Sequence, residues 1–383
     1  MNIISLDHNS STPLHEDVLN AMLPWLGQHG ANASSLHSAG RQARTAIEIA
    51  RRQVAELINS NPNSVIFTSG GTEANNLILK GFSSNAASKT IIGTEIEHAS
   101  ILSPLKQLQT AGANIKLLPV NNSGRVDLNI AEQMFNQYQP ELVSVMLANN
   151  ETGVIQPVTE IADLLKESDC LVHCDATQAA GKIAVDMEQM GIDALTFSAH
   201  KMLGPQGAGA LVLKQPGVLN PQQSGGEQEQ RIRAGTENIA AIVGFGKAAE
   251  LARLEINQRS HHLLTLRDRF EQKLTQIGAA VVFANDSRRL PNTCFFALPY
   301  YHGETLLMEL DKAGFALASG SACHSQVTEP SHVLRAMGVD DDLALNAVRV
   351  SFGVSNTFED VDRLIAKLRD LISRLPAVMR QAV

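Results

Sequence analysis

The sequence predicts an α/β fold: a large unit on a mostly parallel sheet covered by helices on both faces, then a smaller C-terminal α/β unit. Three observations carry this expectation. Short β-branched apolar runs alternate with helix-like stretches through the first two-thirds of the chain, the order that a parallel sheet with crossover helices requires. A polar stretch at residues 217–233, containing Pro221, Gly225 and Gly226, interrupts that alternation. Beyond it the pattern becomes one long helix and then a β–β–α–β–α arrangement.

Taken in order, residues 41–58 form the first clear helix, with Ala43, Ile47, Ala50, Val54, Leu57 and Ile58 recurring at a 3.6-residue period. Strand-like runs follow at 65–68, 90–92, 115–120, 142–147, 171–174, 194–198 and 210–213, which gives a seven-stranded sheet. Residues 217–233 are expected to form a loop, and unpatterned loops of that length are functional or disordered. A helical segment runs from about 237 towards 277. Strands are then expected near 281–283, 294–298 and 347–352, with a last amphipathic helix over 358–375. The expected division is a large domain of residues 15–255 and a small domain made of 1–14 with 256–383.

Composition narrows the function. The chain has 383 residues, a formal net charge of -8 and a pI near 5.8, so it lacks the basic footprint of a nucleic-acid or membrane-surface protein. The N-terminus lacks a basic region leading into an apolar stretch, and no apolar run approaches the ~20 residues of a membrane span. The expectation is a soluble, cytoplasmic protein with no membrane partner. Four cysteines in this length do not make a disulfide framework. Cys170, Cys174 and Cys294 lie in apolar strand-like runs and read as core residues. No His/Asp/Glu set has ligand spacing, so no metal is expected. His261 and His262 read as solvated. Cys323 differs, because Ser319-Gly320-Ser321-Ala322 precede it and polar residues follow. The small, polar run 318–329 buries little surface and is expected to open at low free-energy cost.

Three local patterns stand where an α/β sheet places ligand groups, at strand ends. Phe67-Thr68-Ser69-Gly70-Gly71-Thr72-Glu73 reads as a strand, a glycine pair and a helix start. It suits either an anion cradle or an ordinary tight turn with a Thr cap. Val172-His173-Cys174-Asp175-Ala176-Thr177-Gln178 puts an Asp at the end of a buried strand, where it needs a partner. That partner is either structural or a protonated ring nitrogen of a cofactor. Thr196-Phe197-Ser198-Ala199-His200-Lys201 puts a lysine straight after an apolar strand, where desolvation lowers an amine's pKa and suits it to Schiff-base chemistry. Together they amount to a phosphate cradle, an acid for a pyridinium nitrogen and a lysine for an aldehyde.

With Glu97-His98, Asn149-Asn150-Glu151-Thr152-Gly153, Arg233-Ala234-Gly235-Thr236, Ser319 to Cys323, Glu329-Pro330-Ser331-His332-Val333-Leu334 and Arg349-Val350-Ser351-Phe352-Gly353, these motifs make the chain resemble the cysteine desulfurases. This is the iron–sulfur-cluster type of sulfur donor in the class V aminotransferase group, with PLP fold type I. The resemblance runs from about Leu6 to the final helix. It implies pyridoxal 5'-phosphate bound covalently by Lys201, with Asp175 at the ring nitrogen, Gln178 at the ring hydroxyl and His98 on the ring face. Gly71, Thr72, Ser198 and His200 would hold the phosphate, with Thr236 reaching it from the second subunit of a homodimer. Asn150 and Arg349 would grip the substrate, L-cysteine. Cys323, as thiolate, would take its sulfur and hand it to an acceptor protein, leaving L-alanine.

The stretch Asp7-His8-Asn9-Ser10-Ser11-Thr12-Pro13 departs from the family's usual Asp-Asn-Ala-Ala-Thr-Thr-Pro, and Ala31-Asn32-Ala33-Ser34-Ser35 lacks its usual glycine and proline. Aminotransferase, selenocysteine lyase and other cysteine lyase reactions fit the same fold, as does a catalytically weak sulfur relay. Cys323 favours sulfur transfer, because transamination needs no thiol. The acceptor stays open between iron–sulfur clusters, tRNA thiolation and DNA phosphorothioation.

Overall fold

The computed structural model of the chain describes residues 3–27, 31–82, 89–215, 217, 219–278, 280–319 and 329–374. The chain opens with β1 (Ile4–Ser5), α1 (Glu16–Gly27) and α2 (Ser38–Leu57). Next come β2 (Val65–Thr68), α3 (Gly71–Phe82), β3 (Thr90–Thr94), α4 (Ala99–Thr110), β4 (Asn114–Leu118) and α5 (Leu128–Tyr138). They are followed by β5 (Leu142–Met146), α6 (Val158–Leu165), β6 (Leu171–Asp175), β7 (Ala194–Ser198) and β8 (Gly209–Leu213). The long α7 (Ile239–Leu274) leads to β9 (Val281–Val282), β10 (Thr293–Ala297), α8 (Gly303–Lys312), β11 (Phe315–Ala316) and β12 (Ala318–Ser319). The last described elements are α9 (His332–Ala336), α10 (Asp341–Leu345), β13 (Ala347–Ser351) and α11 (Phe358–Ser373).

The seven-stranded sheet has the order β2-β8-β7-β6-β5-β3-β4. Its neighbours are parallel except where β8 pairs antiparallel with both β2 and β7. The sequence explains why it is covered twice. Within one strand both faces are apolar: Val65 and Phe67 join the core under α1, α2, α5, α6 and α7, while Ile66 joins the core under α3 and α4. Leu195 and Phe197 against Ala194, and Val212 against Leu211 and Leu213, divide in the same way. A sheet with one wet face would alternate apolar with polar residues instead.

A four-stranded sheet, β12-β13-β10-β9, and a two-stranded pair, β1-β11, form the second body of structure. Its core joins Phe296, Val348 and Val350 to Leu263, Leu266, Phe270 and Leu274 of α7 and to the apolar face of α11. Thus α7 serves both cores, from Ile239 to Ala252 for the large sheet and from Leu263 onward for the small one. The boundary expected at residue 255 falls inside this helix, between the stretches that serve the two cores. The two-residue strands β1, β11 and β12 go beyond the sequence reading. The expected final strand of the large sheet was read without its reversed direction.

Every strand of the large sheet except β8 runs in the same direction. The C-terminal ends of β2, β3, β5, β6 and β7 therefore share one edge, and the helices that follow present their N-termini there. Among the described residues, no helix is long and apolar enough to cross a membrane. His262 is half-buried and pairs with the Asn356 carbonyl at 3.0 Å, which corrects its reading as a solvated residue.

Candidate active site

A cavity of about 250 Å³ opens at this sheet edge, lined by Gly71, Thr72, His98, Asn150, Asp175, Gln178, Ser198, His200 and Lys201 among others. All nine are among the site residues that the family resemblance implies. Each follows a strand end: Gly71 begins α3 after β2, His98 caps α4 after β3, Asp175 ends β6, and Ser198 ends β7.

Asp175 is buried, and its two oxygens have separate partners. Oδ1 accepts the Thr177 amide at 2.9 Å and Oδ2 accepts Asn75 Nδ2 at 2.7 Å. The other hydrogen of Asn75 Nδ2 goes to Ser100 Oγ at 2.9 Å, and Ser100 Oγ lies 2.8 Å from His98 Nδ1. The Ser100 amide also donates to His98 Nδ1 at 3.1 Å. With two donors aimed at Nδ1, a neutral His98 carries its proton on Nε2. Burial lowers the pKa of His98, Lys201 and His332 lower it further, and Asp175 opposes them. The chain Asp175–Asn75–Ser100–His98 thus fixes the tautomer of the histidine. Sequence reasoning missed Asn75 and Ser100. Asn75 lies one helical turn after Gly71 and so faces the same way, a signal that was available.

Lys201 Nζ donates to the backbone carbonyls of Asn9 at 2.5 Å and Ser10 at 2.7 Å. Its pKa is pushed down to about 8, first by burial and then by Arg349, against Asp7 and Asp175. His200 is lowered to about 4 by burial, Lys201 and Lys182. Gln178 Nε2 donates to the Asn9 carbonyl at 2.9 Å, and Lys182 Nζ donates to Gln178 Oε1 at 2.8 Å and to Asn9 Oδ1 at 2.9 Å. Lys182 is buried among these amides, and burial with Lys201 and Arg349 nearby holds its pKa well below the ordinary range. It stands four residues after Gln178 in a non-helical turn, and nothing in the sequence around it signals its place at the site.

The residues fit the cofactor that the resemblance implies. Among the described residues Ser198 Oγ and Thr177 Oγ1 are buried with no hydrogen-bond partner, so two hydroxyls are left free for a bound polar group. The first turn of α3 adds N–H groups without intrahelical partners. A Cβ on Gly71 would come within 3.0 Å of Thr177 Oγ1 and narrow that space. An amine of lowered pKa and a buried carboxylate complete the donor set.

Arg349, Thr236 and Cys323 are placed differently. Arg349, on β13, does not line the cavity; its guanidinium meets Asp7, Ser10 and the Asn150 carbonyl. Thr236 is exposed just before α7 and lies away from the cavity of its own chain. Cys323 and the run 320–328 lie outside the described residues, and with them the expectation of an opening segment. Beside that run, His332 Nε2 lies 3.1 Å from the Glu97 carbonyl, and Ser331 Oγ donates to Glu151. Glu97 itself is buried, with its pKa pushed up to about 8 by burial despite bonds from the Met146 amide and Thr94. Among the described residues, no group of three or more His, Cys, Asp or Glu side chains could hold a metal ion.

Residues 4–364 match the aminotransferase class-V family. The chain is 42% identical over 371 residues to cysteine desulfurase IscS 1 of Archaeoglobus fulgidus, covering 96% of this chain and 97% of that one. It is 40% identical over 378 residues to cysteine desulfurase IscS of Dictyoglomus turgidum, covering 98% and 96%. A solved NifS-like protein superposes with a TM-score of 0.92 at 34% identity, covering 97% of this chain and 100% of that chain. The chain belongs to the class-V aminotransferase family and, within it, to the cysteine desulfurases.

Proposed function

We propose that this protein is a pyridoxal-phosphate-dependent cysteine desulfurase of PLP fold type I, which converts L-cysteine to L-alanine and leaves the sulfur as a persulfide on Cys323. The observation that carries this reading is Lys201 at the end of β7, its pKa down at about 8, in one cavity with the Asp175–Asn75–Ser100–His98 chain. At pH 7 about one such amine in ten is neutral and nucleophilic, against a few in ten thousand for an ordinary lysine.

Pyridoxal phosphate, when bound, supplies an aldehyde for an amine and a ring that takes up the electron pair released at the substrate's Cα. Ser198, His200, Thr72 and the N-terminus of α3 would hold its phosphate, and Asp175 would hold a positive charge at the ring nitrogen. Lys201 would hold the aldehyde carbon of the cofactor and would move a proton at Nζ. His98 keeps a proton at Nε2, facing the cavity, ready for transfer. Asn150 and Arg349 take the substrate's carboxylate, and Cys323 accepts its sulfur.

The partner, domain and compartment readings belong to the same proposal. A homodimer is supported by exposed Thr236 and by α1, which shows Leu19, Leu23 and Leu26 at 41%, 51% and 63% exposure on one side of the helix. The two sets of core residues along α7 support a large domain of 15–255 and a small one of 1–14 with 256–383. Free Cys170, Cys174 and Cys294 suit a reducing, cytoplasmic setting. The persulfide passes to an acceptor protein, with iron–sulfur cluster assembly the leading destination.

The test is direct. Purified protein given L-cysteine and a thiol reductant releases alanine and sulfide in equal amounts, and Cys323→Ser releases neither above background while keeping the cofactor. Alanine release undiminished in Cys323→Ser removes the persulfide reading.

A further inference from the structure

Arg349 stands in the middle of β13, and three of the five N–H groups of its guanidinium are taken by the chain itself. Nη1 donates to the Asn150 carbonyl at 2.8 Å, and Nη2 donates to Asp7 Oδ1 at 2.6 Å and to Ser10 Oγ at 3.0 Å. Nε is buried with no hydrogen-bond partner among the described residues.

A guanidinium grips a carboxylate at two points through either Nε with Nη2 or Nη1 with Nη2, so Nη2 belongs to both grips. This molecule uses each. Arg269 holds Asp362 through Nε and Nη2, and Arg289 holds Glu271 through Nη1 and Nη2. In Arg349 the shared nitrogen has two N–H groups and already has two acceptors. An incoming carboxylate reaches a two-point grip only by taking over from Asp7 or Ser10, while the unpartnered Nε offers the second point. The arrangement can yield, because Ser10 is exposed and the Asp7 side chain is 25% exposed. On its other side the same stretch caps Lys201 with the Asn9 and Ser10 carbonyls.

The geometry points to Asp7 as a built-in carboxylate that competes with the substrate's own carboxylate for Arg349. Ser10 is the weaker second competitor, and together they set how tightly the site takes small amino-acid carboxylates. This rests on the reading of Arg349 as the substrate's carboxylate grip. A carboxylate ligand is weakened in proportion to the fraction of time Nη2 is engaged; a ligand without a carboxylate is indifferent. A permanent positioning role for Asp7 would have the opposite sign, because removing it would then weaken carboxylate binding.

Calorimetric titration of the holoenzyme with L-alanine, and with L-alaninamide as the ligand lacking a carboxylate, separates these cases. Asp7→Asn is expected to tighten L-alanine binding about tenfold and to leave L-alaninamide unchanged. Ser10→Ala is expected to tighten L-alanine about twofold to threefold, and it decides the matter should Asp7→Asn fail to fold. Binding of L-alanine that is unchanged or weaker in the folded variants overturns the competition. Arg349→Ala tests the underlying reading separately: it should erase the preference for L-alanine over L-alaninamide, and if the preference survives, Arg349 is not the grip.

Discussion

The cofactor edge and the cation grip lie side by side but are built by opposite means. At the edge, each group sits at or within a few residues of the end of a β-strand: Asp175 closes β6, Ser198 closes β7, and Lys201 follows three residues later. At the grip, Arg349 meets Asp7 and Ser10 across 342 and 339 residues of sequence and Asn150 across 199. The edge is a property of single strand–helix units, which one sheet aligns. The grip exists only when the N-terminal stretch, the Asn149–Gly153 turn and the small sheet come together. Damage to the edge should therefore strike chemistry and spare the fold, whereas damage to the stretch beside the grip should strike the fold.

The largest effect is expected from Lys201→Ala, which should lower alanine release by at least about a thousandfold with little change in melting temperature. Mass spectrometry after borohydride reduction should find no cofactor on residue 201. In the parent protein the lowered pKa sets a direction in pH. A depressed amine becomes neutral at lower pH, so lysine-dependent uptake of pyridoxal phosphate by the apoprotein should rise up to about pH 8 and level off above it. A rate that keeps climbing tenfold per unit towards pH 10 would put Lys201 back at its ordinary value.

Next in size, Asn75→Leu cuts the link between Asp175 and His98. Turnover should fall about tenfold to a hundredfold, within the range of a misplaced acid–base group, and the pH dependence of kcat should shift as Ser100 Oγ, no longer oriented by Asn75, loosens its hold on His98 Nδ1. Asn9→Ala probes the other region. Asn9 Oδ1 accepts from both Lys182 Nζ and Asn292 Nδ2, and Asn9 Nδ2 donates to Thr293 Oγ1. Its loss leaves a buried amine with one acceptor fewer and should cost about 2–3 kcal/mol in denaturant unfolding. An undiminished midpoint would break the contrast drawn above. The smallest effect belongs to Gly153→Ala. Gly153 has φ +76°, and a Cβ there would stand 3.0 Å from Thr293, so a loss of about 1–2 kcal/mol is expected.

The same contrast explains what was legible in the sequence. Runs such as Val65–Thr68 and Ala194–Ser198 are buried from end to end, because both faces of the sheet are covered. Gly71, His98, Asp175 and Lys201 could be read because each follows such a run directly. Direction could not be read: nothing in Gly209–Leu213 announces that β8 runs against its neighbours. Nor could β1, β11 and β12, since two residues carry no period. Lys182 and Asn9 escaped because Lys182 has only amide oxygens for partners, at Gln178 and Asn9, and because Asn9 meets its partners across more than a hundred residues of sequence. Arg349 was named through the resemblance, but its engagement with Asp7 and Ser10 depends on tertiary contact alone.

The helix α7 has a further consequence. At 36 residues it is a rod about 54 Å long at 1.5 Å per residue, and its two ends are rooted in different cores. Cutting the chain near residue 255 would not release two self-sufficient fragments. Each would carry half of a helix whose apolar stripe lacks its continuation, and each would expose a frayed terminus beside its own core. Fragments overlapping through the whole of α7 should be able to complement one another, whereas fragments abutting at its middle should aggregate. The rod is not the only tie between the two bodies: Ile96, Met146 and Val154 also pack with Phe283, Phe295 and Ala297 in a core of their own, so the small sheet cannot drift away from the large sheet without opening that core as well.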